Sequence, residues 1–133
     1  MSCVPIRHRL PCEVPEGASL QLTTTVRDLA LVGIPAADLD MLVLTLFDEQ
    51  TGDILNGRDH QDILGTNGGD INAAGGLVLT LDGADNPIVA GARASELHVA
   101  LIEWTWTVDA VTYDGKAEIA FIVRNLSKVP EAT

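Results

Sequence analysis

Between residues 98 and 125 the chain reads HVALIEWTWTVDAVTYDGKAEIAFIVRN, two alternating runs joined by turn-forming residues. Side chains in a strand point to opposite faces with a period of two. Within 96 to 108 the even positions His98, Ala100, Ile102, Trp104 and Trp106 therefore share one face, and Glu103, Thr105 and Thr107 share the other. The only two tryptophans of the chain thus become neighbours turned into a core. Asp114-Gly115 is a strong hairpin signal, because a type I′ turn needs positive φ at both central residues. A turn there sets Tyr113 against Lys116, Ile119 against Ala110, Phe121 against Val108 and Val123 against Trp106, so the apolar faces coincide. A strand from Glu96 to Tyr113 would run to roughly 60 Å at about 3.3 Å per residue. A bend, bulge or earlier turn around Val108 to Val111 is therefore expected as well.

The rest of the chain is also written in strands. In SLQLTTTVR, residues 19 to 27, Leu20, Leu22, Thr24 and Val26 alternate with polar partners, the pattern of a half-buried strand. MLVLTLFD, 41 to 48, is a β-rich run, and Thr51-Gly52 turns it into a short Asp53-Ile54-Leu55 strand. Residues 56 to 76 are polar and glycine-rich, a long hairpin or an exposed loop. LVLTLD, 77 to 82, places Leu77, Leu79 and Leu81 inward. A short helical turn is expected after it, with Asp85 or Asn86 as cap and Pro87 first. The fold predicted is an all-β, antiparallel immunoglobulin-like β-sandwich of about seven strands, a closed barrel being the alternative. Its core would hold Leu20, Leu22, Val26, Leu77, Leu79, Leu81, Ile102, Trp104, Trp106, Ile119, Phe121 and Val123. Residues 1–18 read as an extended arm held by Pro5, Pro11 and Pro15, with at most edge pairing around Ile6 to Leu10. The sandwich spans 19–125, and 126–133 form a tail.

Two strands are apolar on both faces. Met41, Val43, Thr45 and Phe47 back onto Leu42, Leu44 and Leu46, and Leu97, Val99 and Leu101 back onto Ala100 and Ile102. An antiparallel sheet in a sandwich ordinarily buries one face and wets the other. Either the 28 to 40 connection or the 83 to 95 segment folds over the second face, or another subunit covers it through Leu42, Leu44, Leu46, Leu97, Val99 and Leu101.

At 133 residues and 47% apolar composition the chain suffices for one domain with a genuine core. Its net charge of −11, with only eight scattered Lys and Arg, argues against nucleic acid and anionic membranes as partners. No run approaches a membrane-spanning helix, and the first residues lack the apolar core of a secretory signal. Synthesis and retention in a cytosol, or in a particle built there, is the expectation, and with it free thiols at Cys3 and Cys12.

No catalytic or cofactor-binding set emerges. Asp59-His60-Gln61-Asp62 and the Asp48/Asp53 pair lack the ligand spacing of a calcium loop and read as solvated turns. Ser2, Ser19, Ser95 and Ser127 sit in no nucleophile-elbow context. His98 reads as a satisfied core histidine, Thr66-Asn67-Gly68-Gly69-Asp70 as a turn without a phosphate-binding lysine, and Asn125-Leu126-Ser127 as a glycosylation sequon that matters only in a secreted protein. The expectation is no enzyme, no metal and no cofactor.

The stretches LTLDGADNPIV, HVALIEWTWT and GKAEIAFIVRNLSKVP resemble small immunoglobulin-like β-sandwich proteins encoded among the virion genes of tailed bacteriophages. The likeness covers roughly the last hundred residues and lies in strand texture. It implies a non-enzymatic particle component of the neck, head-tail connection, tail or baseplate, synthesised in the host cytoplasm. Such a protein acts by homo-oligomeric assembly and docking to other virion proteins, and a symmetric ring reuses one patch many times. Capsid decoration is an alternative role. A carbohydrate-binding module is another, with Tyr113 as the natural glycan platform.

Overall fold

The computed structural model describes residues 7–126, the Cys12 side chain excepted. Expectations concerning Ser2, Cys3, Cys12, Ser127 and the C-terminal tail lie outside what is described. Among the described residues eight strands make two sheets. In chain order they are β1 (Arg7–Pro15), β2 (Leu20–Thr25), β3 (Leu39–Asp48), β4 (Gln61–Asp62), β5 (Gly69–Ile71), β6 (Gly76–Leu81), β7 (Ser95–Val108) and β8 (Val111–Arg124). One sheet has the order β1-β8-β7-β3-β4 and the other β2-β6-β5. Taking β2 through β8 as B, C, C′, D, E, F and G, a BED layer faces a GFCC′ layer, an immunoglobulin-like arrangement. Neighbours are antiparallel except β1, which runs parallel to β8 along the sheet edge. Two 3-10 turns, Ala36–Asp38 and Gly83–Asp85, complete the fold.

Alternation decides which residues meet. Leu22 and Val26 from the second layer close on Leu77, Leu79 and Leu81, while Ile102, Trp104, Trp106, Ile119, Phe121 and Val123 face them from the first layer, all within one buried cluster. Leu20 packs against that cluster while half-buried, and Val14 of β1 joins it. The N-terminal stretch is extended, as its prolines dictate, but over Arg7–Pro15 it is a strand with six residues in register with β8. Pro11 is accommodated where the register with β8 shifts between Arg9 and Glu13. The short strand expected at 53 to 55 reduces to one bridge, Phe47 to Ile54.

The Asp114-Gly115 turn is not where the chain reverses. β7 and β8 register without interruption from Ser95↔Arg124 to Val108↔Val111, so the loop is Asp109-Ala110, with φ of 51° and 65°. This is the earlier turn that strand length demanded. Trp106 now opposes Tyr113, Trp104 opposes Gly115, and His98 opposes Phe121. Gly115 serves a different purpose: a Cβ there would lie 2.3 Å from the Trp104 Nε1. The helical turn is corrected similarly. It spans Gly83–Asp85, and its cap is Asp82, whose side chain accepts from the Ala84 amide.

Ala110 carries a left-handed φ that an L side chain adopts at a cost, whereas glycine does not. Ala110→Gly should therefore stabilise the fold by about 0.5–1 kcal/mol. The check is the denaturant midpoint, which should rise at unchanged m.

Candidate functional site

Two places concentrate polar chemistry or accessible apolar surface. The first is a buried polar knot where the end of β3 meets the start of β7. Glu96 and His98 point inward from β7 on the same parity as Trp104, and Asp48 ends β3 opposite His98. All three side chains are fully buried, and their ligand atoms lie within 4.8 Å of one another. The Glu96 carboxylate accepts from the Val89 and Ala90 amides, each at 2.8 Å, and lies 2.9 Å from His98 Nε2. Asp48 accepts from the Thr51 amide and hydroxyl. Arg93 then reaches in from the preceding loop, 3.3 Å from Asp48 and 3.1 Å from Glu96.

Burial pushes both carboxyls toward protonation, but hydrogen bonding outweighs it. Thr51 and Arg93 hold Asp48 below the usual range, and the Val89 and Ala90 amides, His98 and Arg93 do the same for Glu96. Two carboxylates and an imidazole resemble a divalent-metal donor set in kind. Here the guanidinium already supplies the cation, and the carboxylate lone pairs are spent on amides and hydroxyls. The knot is thus a clasp tying the 86 to 94 loop to the sheet. Asn125 strengthens it by donating to the Gly91 and Arg93 carbonyls, which buries the asparagine of the sequon. A second buried pair, Arg58 with Asp85 at 2.6 Å, clasps the 56 to 67 region to the Gly83–Asp85 turn.

The second place is a groove of about 790 Å³ along one side of the sandwich. Its walls are two strand edges. Thr23, Thr24 and Thr25 come from β2, which pairs on its other side with β6; Asp114 to Glu118 come from β8. Among the described residues β1 pairs with β8 from Glu118 onward. Trp104 and Trp106 line its floor, and Leu29, Ala30 and Leu31 form a lip. That lip is anchored by the Trp104 indole N–H donating to the Arg27 carbonyl at 3.1 Å. Leu29 is 72% exposed, Val32 58% and Leu31 40%. Half-exposed Val108 and Val111 at the hairpin tip extend this apolar end of the molecule.

The residues expected to form a covered outer face divide. Leu97, Val99 and Leu101 do lie on the outer face of β7, but Leu42, Leu44 and Leu46 belong to the core. The register places Leu42, Leu44 and Leu46 opposite Trp104, Ile102 and Ala100, which fixes their parity. The outer set on β3 is Val43, Thr45 and Phe47. His60 reaches onto it, its amide donating to Thr45 Oγ1 at 3.1 Å and its Nε2 lying 3.4 Å from Glu103. Part of its cover is an ion pair: Arg7 on the edge strand bonds Glu118 at 2.9 Å and Glu49, just past β3, at 2.6 Å. The guanidinium thus stretches across the outer face, and Val99 is buried between its paired neighbours Phe47 and Ala120.

Of the polar residues read as solvated turns, Asp53, Asp59 and His60 are exposed, but Asp48 belongs to the buried clasp. His98 is in the core with Nε2 bonded to Glu96 and, among the described residues, no partner for its Nδ1. Tyr113 stacks on Trp106 with ring centroids 5.6 Å apart, so one face of the expected sugar platform is already taken. Sequence reasoning passed over Glu96, Arg93 and Arg58, and read Asp85 only as a candidate helix cap. Glu96 carried a signal, since a carboxylate two residues before an inward histidine shares the inward face.

Comparison with known proteins gives no matching family model, no matching curated protein and no matching solved structure.

Proposed function

We propose that the protein is a non-enzymatic structural subunit of a tailed-phage virion, in the neck or tail, that works by assembling with copies of itself and docking to other virion proteins. The observation supporting an assembly role is the apolar end of the sandwich, where Leu29, Leu31, Val32, Val108 and Val111 stand exposed, near strand edges that have no partner among the described residues. Exposed apolar patches beside free edges mark interaction surfaces, since both are aggregation hazards in a chain that acts alone. The phage context comes from the resemblance in strand texture, and the acidic surface suits a particle component that avoids nucleic acid. No helix among the described residues is long and apolar enough to cross a membrane.

The test has two parts. Sedimentation from micromolar to millimolar concentration should show reversible association that Leu29→Lys with Val32→Lys abolishes. Antibody labelling of purified virions should decorate the neck or tail. Labelling confined to the head would assign capsid decoration instead. A monomer at every concentration together with unlabelled particles would sink the proposal.

A further inference from the structure

We propose that Asn56 is a site of spontaneous modification, at which the main-chain nitrogen of Gly57 attacks the Asn56 side-chain amide and turns it into a carboxylate beside the buried Arg58–Asp85 clasp. The reaction needs only water and is independent of the assembly reading. It is an intramolecular attack, so its rate depends on how readily the nitrogen and Cγ reach attack geometry. The chain has five asparagines, at 56, 67, 72, 86 and 125. Asn86 precedes Pro87, which has no N–H to give up, and the Cβ atoms of Ala73 and Leu126 crowd the approach to Asn72 and Asn125. Asn56 and Asn67 are each followed by glycine, which leaves the approach open.

The fold separates these two pairs. Both asparagines are exposed and left-handed, with φ of 52° and 51°. At Asn67 the peptide that must rotate is held, because its carbonyl accepts from Arg58 Nη1 at 2.8 Å. The next carbonyl, of Gly68, accepts from the Thr80 amide at 2.8 Å, and the Asn67 side-chain amide donates to the Asp62 carbonyl at 2.8 Å. At Asn56, among the described residues, no hydrogen bond holds either group of the 56–57 peptide. A Cβ at residue 57 would meet nothing within 4 Å, so that peptide also has room to turn. Its remaining restraint is the side-chain amide, which donates to Asp85 Oδ1 at 2.9 Å.

Gly57 N gives its proton to water and bonds to Asn56 Cγ. The Cγ–Nδ2 bond breaks, and the nitrogen leaves as ammonia with a proton from solvent. Water then opens the five-membered imide. Attack at Cγ restores the main chain with an aspartate, and attack at the Asn56 main-chain carbonyl leaves an isoaspartate, with the chain routed through Cγ; in both, Gly57 N regains a proton. Either product exchanges the donor that met Asp85 for a second carboxylate, and like charges that close repel. Arg58 already engages Asp85, Gln61 and Asn67 through its three nitrogens. The clasp between the 56 to 67 region and the Gly83–Asp85 turn therefore loosens with age.

The experiment ages the full folded chain at mildly alkaline pH beside a sample kept in denaturant, then digests both under acid conditions and maps the products by mass spectrometry. In the folded chain Asn56 should convert about tenfold faster than Asn67, the factor for roughly one additional hydrogen bond that must open first. In denaturant the two should convert at similar rates. The aged chain, and an Asn56→Asp variant made directly, should both show faster hydrogen exchange across 82 to 86 than the fresh protein. Asn67 converting as fast as Asn56 in the folded chain, or Asn56 surviving there while the denatured sample reacts, would overturn the site. A preference for Asn56 that persists in denaturant would trace it to neighbouring sequence and overturn the selection by the fold. Exchange across 82 to 86 that stays unchanged after conversion would overturn the loosening of the clasp.

Discussion

Glu96→Ala should cost about 3–5 kcal/mol of folding stability, the range for breaking a buried ion pair, and lower the melting temperature by roughly 10–20 °C. The carboxylate is engaged four times over, by two loop amides, an imidazole and a guanidinium. Removing it leaves the Val89 and Ala90 amides without acceptors and Arg93 facing Asp48 alone. Each buried donor left unmet costs about 1–3 kcal/mol. By contrast Glu13→Ala, which breaks the exposed pair with Arg124, should cost far less, because water screens such a pair. Chemical denaturation of the two variants side by side checks the ranking, and a Glu96→Ala loss as small as the Glu13→Ala loss would mean that the clasp is slack.

The same groups set the acid limit. Asp48, Glu96 and Asp85 all sit below their ordinary values of 3.8, 4.5 and 3.8 in the folded chain. For Asp85, burial pushes upward, while Arg58, Asn56 and the Asp82 amide pull further down. The unfolded chain therefore binds more protons in that range, and stability rises with pH there. These contributions are complete above about pH 5 and are lost as the pH falls through the folded values. Glu96→Ala should flatten that acid slope as well as lower the plateau.

Strand texture was legible because one face of β2, of β6 and of the second half of β7 is largely apolar and the other more polar, so period and parity come together. Parity failed on β3, where both faces are apolar and only pairing with Trp104 decides that Leu42 points in. The clasp was half legible: Glu96 and His98 share the inward parity of β7, but Asp48 and Arg93 join them only once β3 pairs with β7 and the loop folds back. The groove was not legible at all, because its lining comes from β2, β8 and the 27 to 31 segment, which only the packing of the two sheets brings together. The misplaced hairpin shows two uses of one residue type competing. Asp-Gly usually marks a turn, and here the glycine makes room for an indole.

That competition yields the second large prediction. Gly115→Val should destabilise the protein by about 1–3 kcal/mol, the cost of overpacking a filled site. A Cβ at residue 115 would stand 2.3 Å from Nε1, 2.4 Å from Cε2 and 2.7 Å from Cζ2 of Trp104. The indole cannot swing aside freely, since its N–H is bonded to the Arg27 carbonyl. Valine is otherwise the better strand former by up to about 1 kcal/mol, so the direction of the change depends on that contact. Trp104→Leu, which shortens the side chain beneath residue 115, should therefore rescue Gly115→Val, and a double-mutant cycle should give coupling of about 0.5–3 kcal/mol. Had Gly115 been a turn residue with positive φ, the valine would strain the backbone whatever stood at 104, and no rescue would follow. Additive losses in the cycle would therefore return the reversal to Asp114-Gly115 and unmake the continuous register of β7 with β8.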